Sequence, residues 1–155
     1  MCEIACTLHH ENKIWPEASR VRVFMIVPGA EFPHLCTQCH DYPCVVACPV
    51  GALTVDELTS AVIVDRDKCT SCQVCFNACP GKIPFMHPGD GKATICDLCG
   101  GDPECVKICT QGNWDVLRVT ERTDEHSHKL YARRPEEITR NLLTILYGER
   151  GNELM

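Results

Sequence analysis

Cys69-Thr70-Ser71-Cys72-Gln73-Val74-Cys75-Phe76-Asn77-Ala78-Cys79-Pro80 is the stretch on which the reading of this chain turns. Four thiols stand at x2, x2 and x3 spacing with a proline behind the last. That run is an iron–sulfur ligation pattern whose fourth cysteine serves the other cluster of a pair. Upstream, Cys36, Cys39, Cys44 and Cys48 repeat the unit, again with a proline, Pro49, behind it. Downstream, Cys96, Cys99, Cys105 and Cys109 have the same shape with a longer middle gap that holds Gly100-Gly101-Asp102-Pro103. At the front, Cys2 and Cys6 match the last half of a fourth group. Cys6 and Cys109 are each followed by threonine rather than proline, so the outer pair has drifted from the pattern.

A [4Fe-4S] cluster takes four thiolates. One motif offers three on a tight loop, and its fourth points away on the following helical turn. Exchange of the last cysteine within the inner pair gives one cluster from Cys36, Cys39, Cys44 and Cys79. A second takes Cys69, Cys72, Cys75 and Cys48. The same rule joins the outer groups: Cys96, Cys99 and Cys105 with Cys6 make a third. Cys109 would need three partners from the first group, where only Cys2 remains. Cys2 and Cys109 are therefore left over and not expected as ligands. The expectation is three [4Fe-4S] clusters and no catalytic residue.

Cysteine supplies 14 of the 155 residues, so the 45 % hydrophobic figure, which counts them, overstates the aliphatic core. Bound clusters would replace the missing core and contribute folding free energy directly. The net charge of −6 argues against nucleic acid, which needs a basic stripe. No run of 18 apolar residues points to a membrane helix, and Met1-Cys2-Glu3-Ile4-Ala5-Cys6 has no signal-peptide character. Cytoplasmic location is the expectation, because cysteine-rich chains outside the secretory route bind metals rather than form disulfides.

Zinc also uses C-x2-C pairs, commonly two pairs set 12 to 20 residues apart. Three groups of four within 11 to 14 residues, two with a trailing proline, favour iron–sulfur over zinc and over a disulfide framework. His9, His10, His40 and His87 sit near cysteine groups, where roles at the surface or behind the ligands are expected. His10-Glu11 could belong to a contact surface. Dinucleotide, phosphate-loop and serine-nucleophile motifs are missing.

Strand signals flank the cysteine loops. Arg20–Val27 alternates and stops at Pro28-Gly29; Ser60–Asp65 precedes Cys69; Ala93-Thr94-Ile95 follows the turn Pro88-Gly89-Asp90-Gly91; and Trp114–Val119 follows Cys109. Past Arg133-Arg134-Pro135 a helix is expected over about 136–147, with Glu136 and Glu137 in its first turn and Gly148 at its end. Ile138, Leu142, Ile145 and Leu146 would form its apolar face, packed on its own domain or on a partner. The expected class is α+β: tandem bacterial-ferredoxin-like modules of short strands and helices around iron–sulfur clusters, plus a C-terminal helical tail. The boundaries read as 1–121 for the iron–sulfur domain, with an inner module over about 30–88 and an outer module from about 1–29 and 89–121. The extension covers 122–155.

On these motifs the chain resembles the iron–sulfur electron-transfer subunits found beside molybdenum or tungsten pterin enzymes, of the dimethyl sulfoxide reductase and formate dehydrogenase type. Cys2-Glu3-Ile4-Ala5-Cys6-Thr7-Leu8-His9-His10-Glu11, leading into Ser19-Arg20-Val21-Arg22-Val23, is most similar to small subunits of the aldehyde ferredoxin oxidoreductase branch, which includes tungsten-dependent class II benzoyl-CoA reductases. The resemblance covers roughly residues 2–120. It implies a subunit that breaks no bonds and passes single electrons between a large tungsten- or molybdenum-pterin catalytic subunit and a donor or acceptor, a ferredoxin or further redox subunit. It implies no direct membrane insertion. Relatives of this kind commonly carry four full cysteine groups, from which this chain departs at its first. A freestanding polyferredoxin and an iron–sulfur redox sensor are the alternatives; the extra tail argues for a docked subunit.

Overall fold

The computed structural model describes residues 1–120 and 132–155. The domain boundary expected at 121–122 falls outside the described residues. The chain runs as α1 (Cys2–Glu11), β1 (Arg22–Met25), β2 (Glu31–His34), α2 (Pro43–Val46), β3 (Leu53–Val55), β4 (Val62–Val64), α3 (Val74–Ala78), β5 (Phe85–Met86), β6 (Ala93–Thr94), α4 (Glu104–Gln111) and α5 (Pro135–Tyr147). This is an α+β chain in which, among the described residues, the short strands pair as three separate antiparallel hairpins, β1–β2, β3–β4 and β5–β6.

The hairpins are made where the sequence signals them. β1 ends at Met25 and the chain turns back through Pro28-Gly29, where Gly29 takes a left-handed φ of 82° and the Ala30 N–H closes on the Val27 carbonyl. Val62–Val64 pairs with Leu53–Val55. The 88–91 turn returns β6 onto β5, with the His87 N–H on the Lys92 carbonyl. Trp114–Val119 differs from the expectation: it forms no strand. The Val116 and Leu117 N–H groups, which a ladder would need, point instead at the Cys109 sulfur.

Two helix pairs tie the halves together: α2 packs on α3, and α1 packs on α4. The core between the hairpins comprises Cys44, Ala52, Leu53, Val62, Cys69, Cys75, Ala93 and Ile95. A second, smaller cluster holds Cys6, Val21 and Cys105, with Cys2, Leu35, Val106 and Leu117 against it. Aliphatic side chains are too few to fill either centre, so the cysteine sites are the middle of the molecule.

α5 starts as read from the sequence. Pro135 occupies its first turn, the Glu137 carboxylate accepts from the Arg134 N–H, and Gly148 ends it at φ 63°. Its buried stripe is not the expected one. Pro135, Thr139 and Leu143 face inward, Ile138 and Leu142 are half-buried, and Ile145 and Leu146 are exposed. Leu143 is fully buried because the last turn, Gly148–Leu154, folds back on α5 and sets Gly151 against its carbonyl. At the other end the tail is held on the domain: the Arg133 carbonyl lies 3.0 Å from His34 Nε2, and Gly81 lies against Ala132 and Arg133.

Candidate metal centres

Each inner motif is a loop that enters a helix of four or five residues through a left-handed residue, Tyr42 before α2 and Gln73 before α3. Gln38 and Ser71, between the first two cysteines of their motifs, are left-handed as well. These reversals wrap the loop around its own thiols and turn backbone N–H groups inward, the arrangement that favours anionic centres. Cys44 and Cys75 lie in the first helical turn, and Cys48 and Cys79 lie past its end. The fourth thiol of each motif is thus carried away from the first three, toward the facing helix.

Electrostatic neighbours show where the thiols go. Burial, with smaller contributions from Cys44, Cys39 and Cys79, pushes the Cys36 thiol up to about 12. Burial pushes Cys44 up to about 11, helped first by Cys79 and then by Cys39. Cys39 is raised by burial and by Cys79. The structure therefore brings Cys36, Cys39 and Cys44 together with Cys79 of the other motif. Cys75 is raised by burial, with Cys69 and Cys72 beside it. Cys48 joins those three around a small pocket also lined by Leu53, Met86 and Ala93. Cys72 is the exposed cysteine of the chain, its thiol lowered chiefly by the Val74 N–H.

The outer site rests on helix α1, which the sequence reading did not place. Residues 2–14 contain no glycine or proline, and Cys2 and Cys6 are spaced i, i+4; those were the available signals. Cys105 and Cys109 have the same spacing on α4. Burial pushes Cys105 up to about 11, with Cys99, Cys6 and Cys2 as its charged neighbours. Burial also drives the Cys96 thiol strongly up, and both Cys36 and Cys105 face it. Gln38 Nε2 donates to the Cys96 carbonyl at 3.3 Å, joining the first inner loop to the outer one. The Gly100-Gly101 insertion produces left-handed backbone from Leu98 through Gly101, Cys99 included. Cys2 and Cys109 line an open pocket with Phe32, Ile108, Trp114 and Leu117.

A recurrent feature is a backbone N–H on the last sulfur of each group. Ala52 donates to Cys48 and Arg20 to Cys6, each at 3.3 Å, and Ile83 donates to Cys79 at 3.5 Å. Val116 and Leu117 donate to Cys109 at 3.1 and 3.4 Å. Ala93 does the same for Cys69 at 3.4 Å. Hydrogen bonds to ligand sulfurs are among the features that set the reduction potential of a bound cluster.

The histidines divide. His40 is exposed. His87 is 6 % exposed, stands edge-on to Trp15 and lies 3.3 Å from Glu11, whose side chain is partly exposed. His10 Nε2 lies 3.6 Å from Cys99 Sγ, and burial lowers its pKa to about 4.

All fourteen thiols are free of disulfides. Thiolates on one zinc ion at 2.3 Å would stand about 3.8 Å apart. Among the described residues, the set of three or more ligand atoms within 4.8 Å of one another is His9, His10 and Cys99, which contains no cysteine trio. The gathered thiols and their N–H donors fit a [4Fe-4S] group, which takes four thiolates. Because buried thiols hold their protons, binding it would release protons.

A family profile described as a 4Fe-4S dicluster domain matches residues 28–118, which include twelve of the cysteines. The chain is 48 % identical over 149 residues to the aliphatic sulfonate oxidoreductase polyferredoxin-like subunit of Pyrococcus furiosus, covering 96 % of this chain and 86 % of that protein. It is 35 % identical to Protein NrfC of Escherichia coli K12, covering 74 % of this chain and 59 % of NrfC. Formate hydrogenlyase subunit 2 of the same organism is 30 % identical, covering 80 % and 81 %. No helix among the described residues is long and apolar enough to cross a membrane. By the profile match, the cysteine geometry and these relatives, the chain belongs to the 4Fe-4S dicluster-domain family.

Proposed function

We propose that the protein is the electron-transfer subunit of a cytoplasmic oxidoreductase complex and binds three [4Fe-4S] clusters. Cys36, Cys39, Cys44 and Cys79 would hold the first, Cys69, Cys72, Cys75 and Cys48 the second, and Cys96, Cys99, Cys105 and Cys6 the third. Cys2 and Cys109 stay outside the ligand sets. The observation that carries the reading is the meeting of Cys79 with the three thiols of the other inner motif. When bound, such clusters supply one-electron carriers whose potentials the protein sets.

The chain's own residues do the rest. Facing α2 and α3 hold the two inner sites in contact, and the approach of Cys36 to Cys96 links the first site to the third. The order along the molecule is then second, first, third. Buried cysteines keep water from the middle of the row, while exposed Cys72 leaves its far end open to a donor or acceptor. The N–H groups of Arg20, Ala52 and Ile83 donate to the Cys6, Cys48 and Cys79 sulfurs that would hold the clusters.

The proposed partner is a large tungsten- or molybdenum-pterin catalytic subunit of the aldehyde oxidoreductase or benzoyl-CoA reductase type. A relative named as a polyferredoxin-like subunit of an oxidoreductase supports a role as one subunit of such a complex. The test is anaerobic purification at native expression levels, with iron, sulfide, tungsten and molybdenum assays. About twelve irons and twelve sulfides per chain, co-eluting with a tungsten or molybdenum subunit, is the expected result. A chain that elutes alone with its clusters would favour a freestanding polyferredoxin, and zinc without sulfide would overturn the reading.

A further inference from the structure

Arg20 lies outside every cysteine group, yet three segments of the chain meet at it. Its N–H donates to Cys6 Sγ. Its guanidinium donates from Nη1 to Asp97 Oδ2, and the same nitrogen lies 3.1 Å from His10 Nε2. Asp97 in turn accepts the Cys99 N–H on Oδ1 at 3.1 Å and stands 3.4 Å from His10. The two charged side chains are 16 % and 27 % exposed and 77 residues apart in sequence.

Asp97 sits between two thiols of the outer site, in Cys96-Asp97-Leu98-Cys99. The ligand spacing needs only two residues there and does not specify a carboxylate. A partly buried negative charge beside a centre that gains an electron opposes that gain, and the low dielectric enlarges the effect. Arg20 is the cation in contact with it. The same arginine places its backbone on Cys6, the ligand that must come from the far end of the chain.

We propose that Arg20 and Asp97 form a compensated charge pair that sets the reduction potential of the third cluster and positions Cys6 against Cys96 and Cys99; this rests on the three-cluster reading. The redox step is the uptake of one electron from an external reductant, with no bond made or broken and no proton moved. With both charges present the pair is neutral toward that electron. Without the guanidinium the carboxylate faces the site alone, and the potential falls. Without the carboxylate the guanidinium faces it alone, and the potential rises. Arg20 is a positioning residue: it reaches a ligand sulfur only through its backbone.

The test is a dithionite redox titration followed by EPR on the holo-protein as purified, with iron counted on each sample. Arg20→Gln lowers the midpoint of the third signal, Asp97→Asn raises it, and the double variant falls between them. Arg20→Lys stays near the parent, and the two inner signals do not move. If Arg20→Gln loses the third cluster while Arg20→Lys keeps it, the positioning half is supported, and Asp97→Asn still reads the charge half. Shifts of the same sign in the two single variants, or no shift in Asp97→Asn, overturn the proposal. A parent with about eight irons per chain has no third cluster and sinks the underlying reading instead.

Discussion

Exchange of the fourth cysteine makes a count that no motif-by-motif ligation scheme shares. Cys79 belongs by sequence to the second inner motif, yet its electrostatic neighbours are Cys36, Cys39 and Cys44. Removing Cys79 and removing Cys36 therefore strike the same site. From about twelve irons per chain, Cys36→Ala and Cys79→Ala should each leave about eight, and the double variant should also leave about eight. Cys36→Ala with Cys75→Ala strikes two sites and should leave about four. The assay is iron and acid-labile sulfide on anaerobically purified protein, with reduced EPR to show which magnetic interaction disappears. Strict non-additivity in one pair and additivity in the other is the signature. If Cys36→Ala with Cys79→Ala falls to about four irons, each motif holds its own cluster and the exchange is refuted.

The remaining predictions are smaller in scope. Cys72→Ala should lose one inner cluster and most electron transfer, whereas Cys109→Ala should keep all three; iron loss of a whole cluster from Cys109→Ala would reassign the outer pair. Gly151→Ala would drive a methyl group into the Leu143 carbonyl, and overpacking of that kind costs about 1–3 kcal/mol. Leu143→Ala, at a fully buried position, should cost about 2–5 kcal/mol; thermal unfolding of the holo-protein reads both, and unchanged midpoints would mean the last turn does not close on α5. The Asp56 carboxyl accepts from the Thr59 hydroxyl and N–H, which hold it below the usual carboxylate range. Its contribution is present above the unfolded value of about 3.9 and is lost as pH falls through the lower folded value. An NMR titration of Asp56 should find its midpoint below that of an unfolded peptide.

What the sequence determined by itself was everything set by short-range spacing. The x2 and x2–x4 gaps hold three thiols on one loop, the hairpins at Pro28-Gly29 and 88–91 follow from turn chemistry, and Pro135 with two acids opens α5. Covalent geometry constrains such features within a few residues, so one copy of the motif predicts the next. Packing settled what residue spacing does not encode. It turned Trp114–Val119 from a β-prone run into a coil whose N–H groups serve Cys109. It chose Pro135, Thr139 and Leu143 over the Ile145–Leu146 side of α5, because the final turn folds onto that face. It also placed Arg20 on Asp97 across 77 residues. A helix with apolar residues around a wide arc, or an arginine between α1 and β1, carries no local mark of its partner; burial and charge pairing are settled only when the packed surface forms.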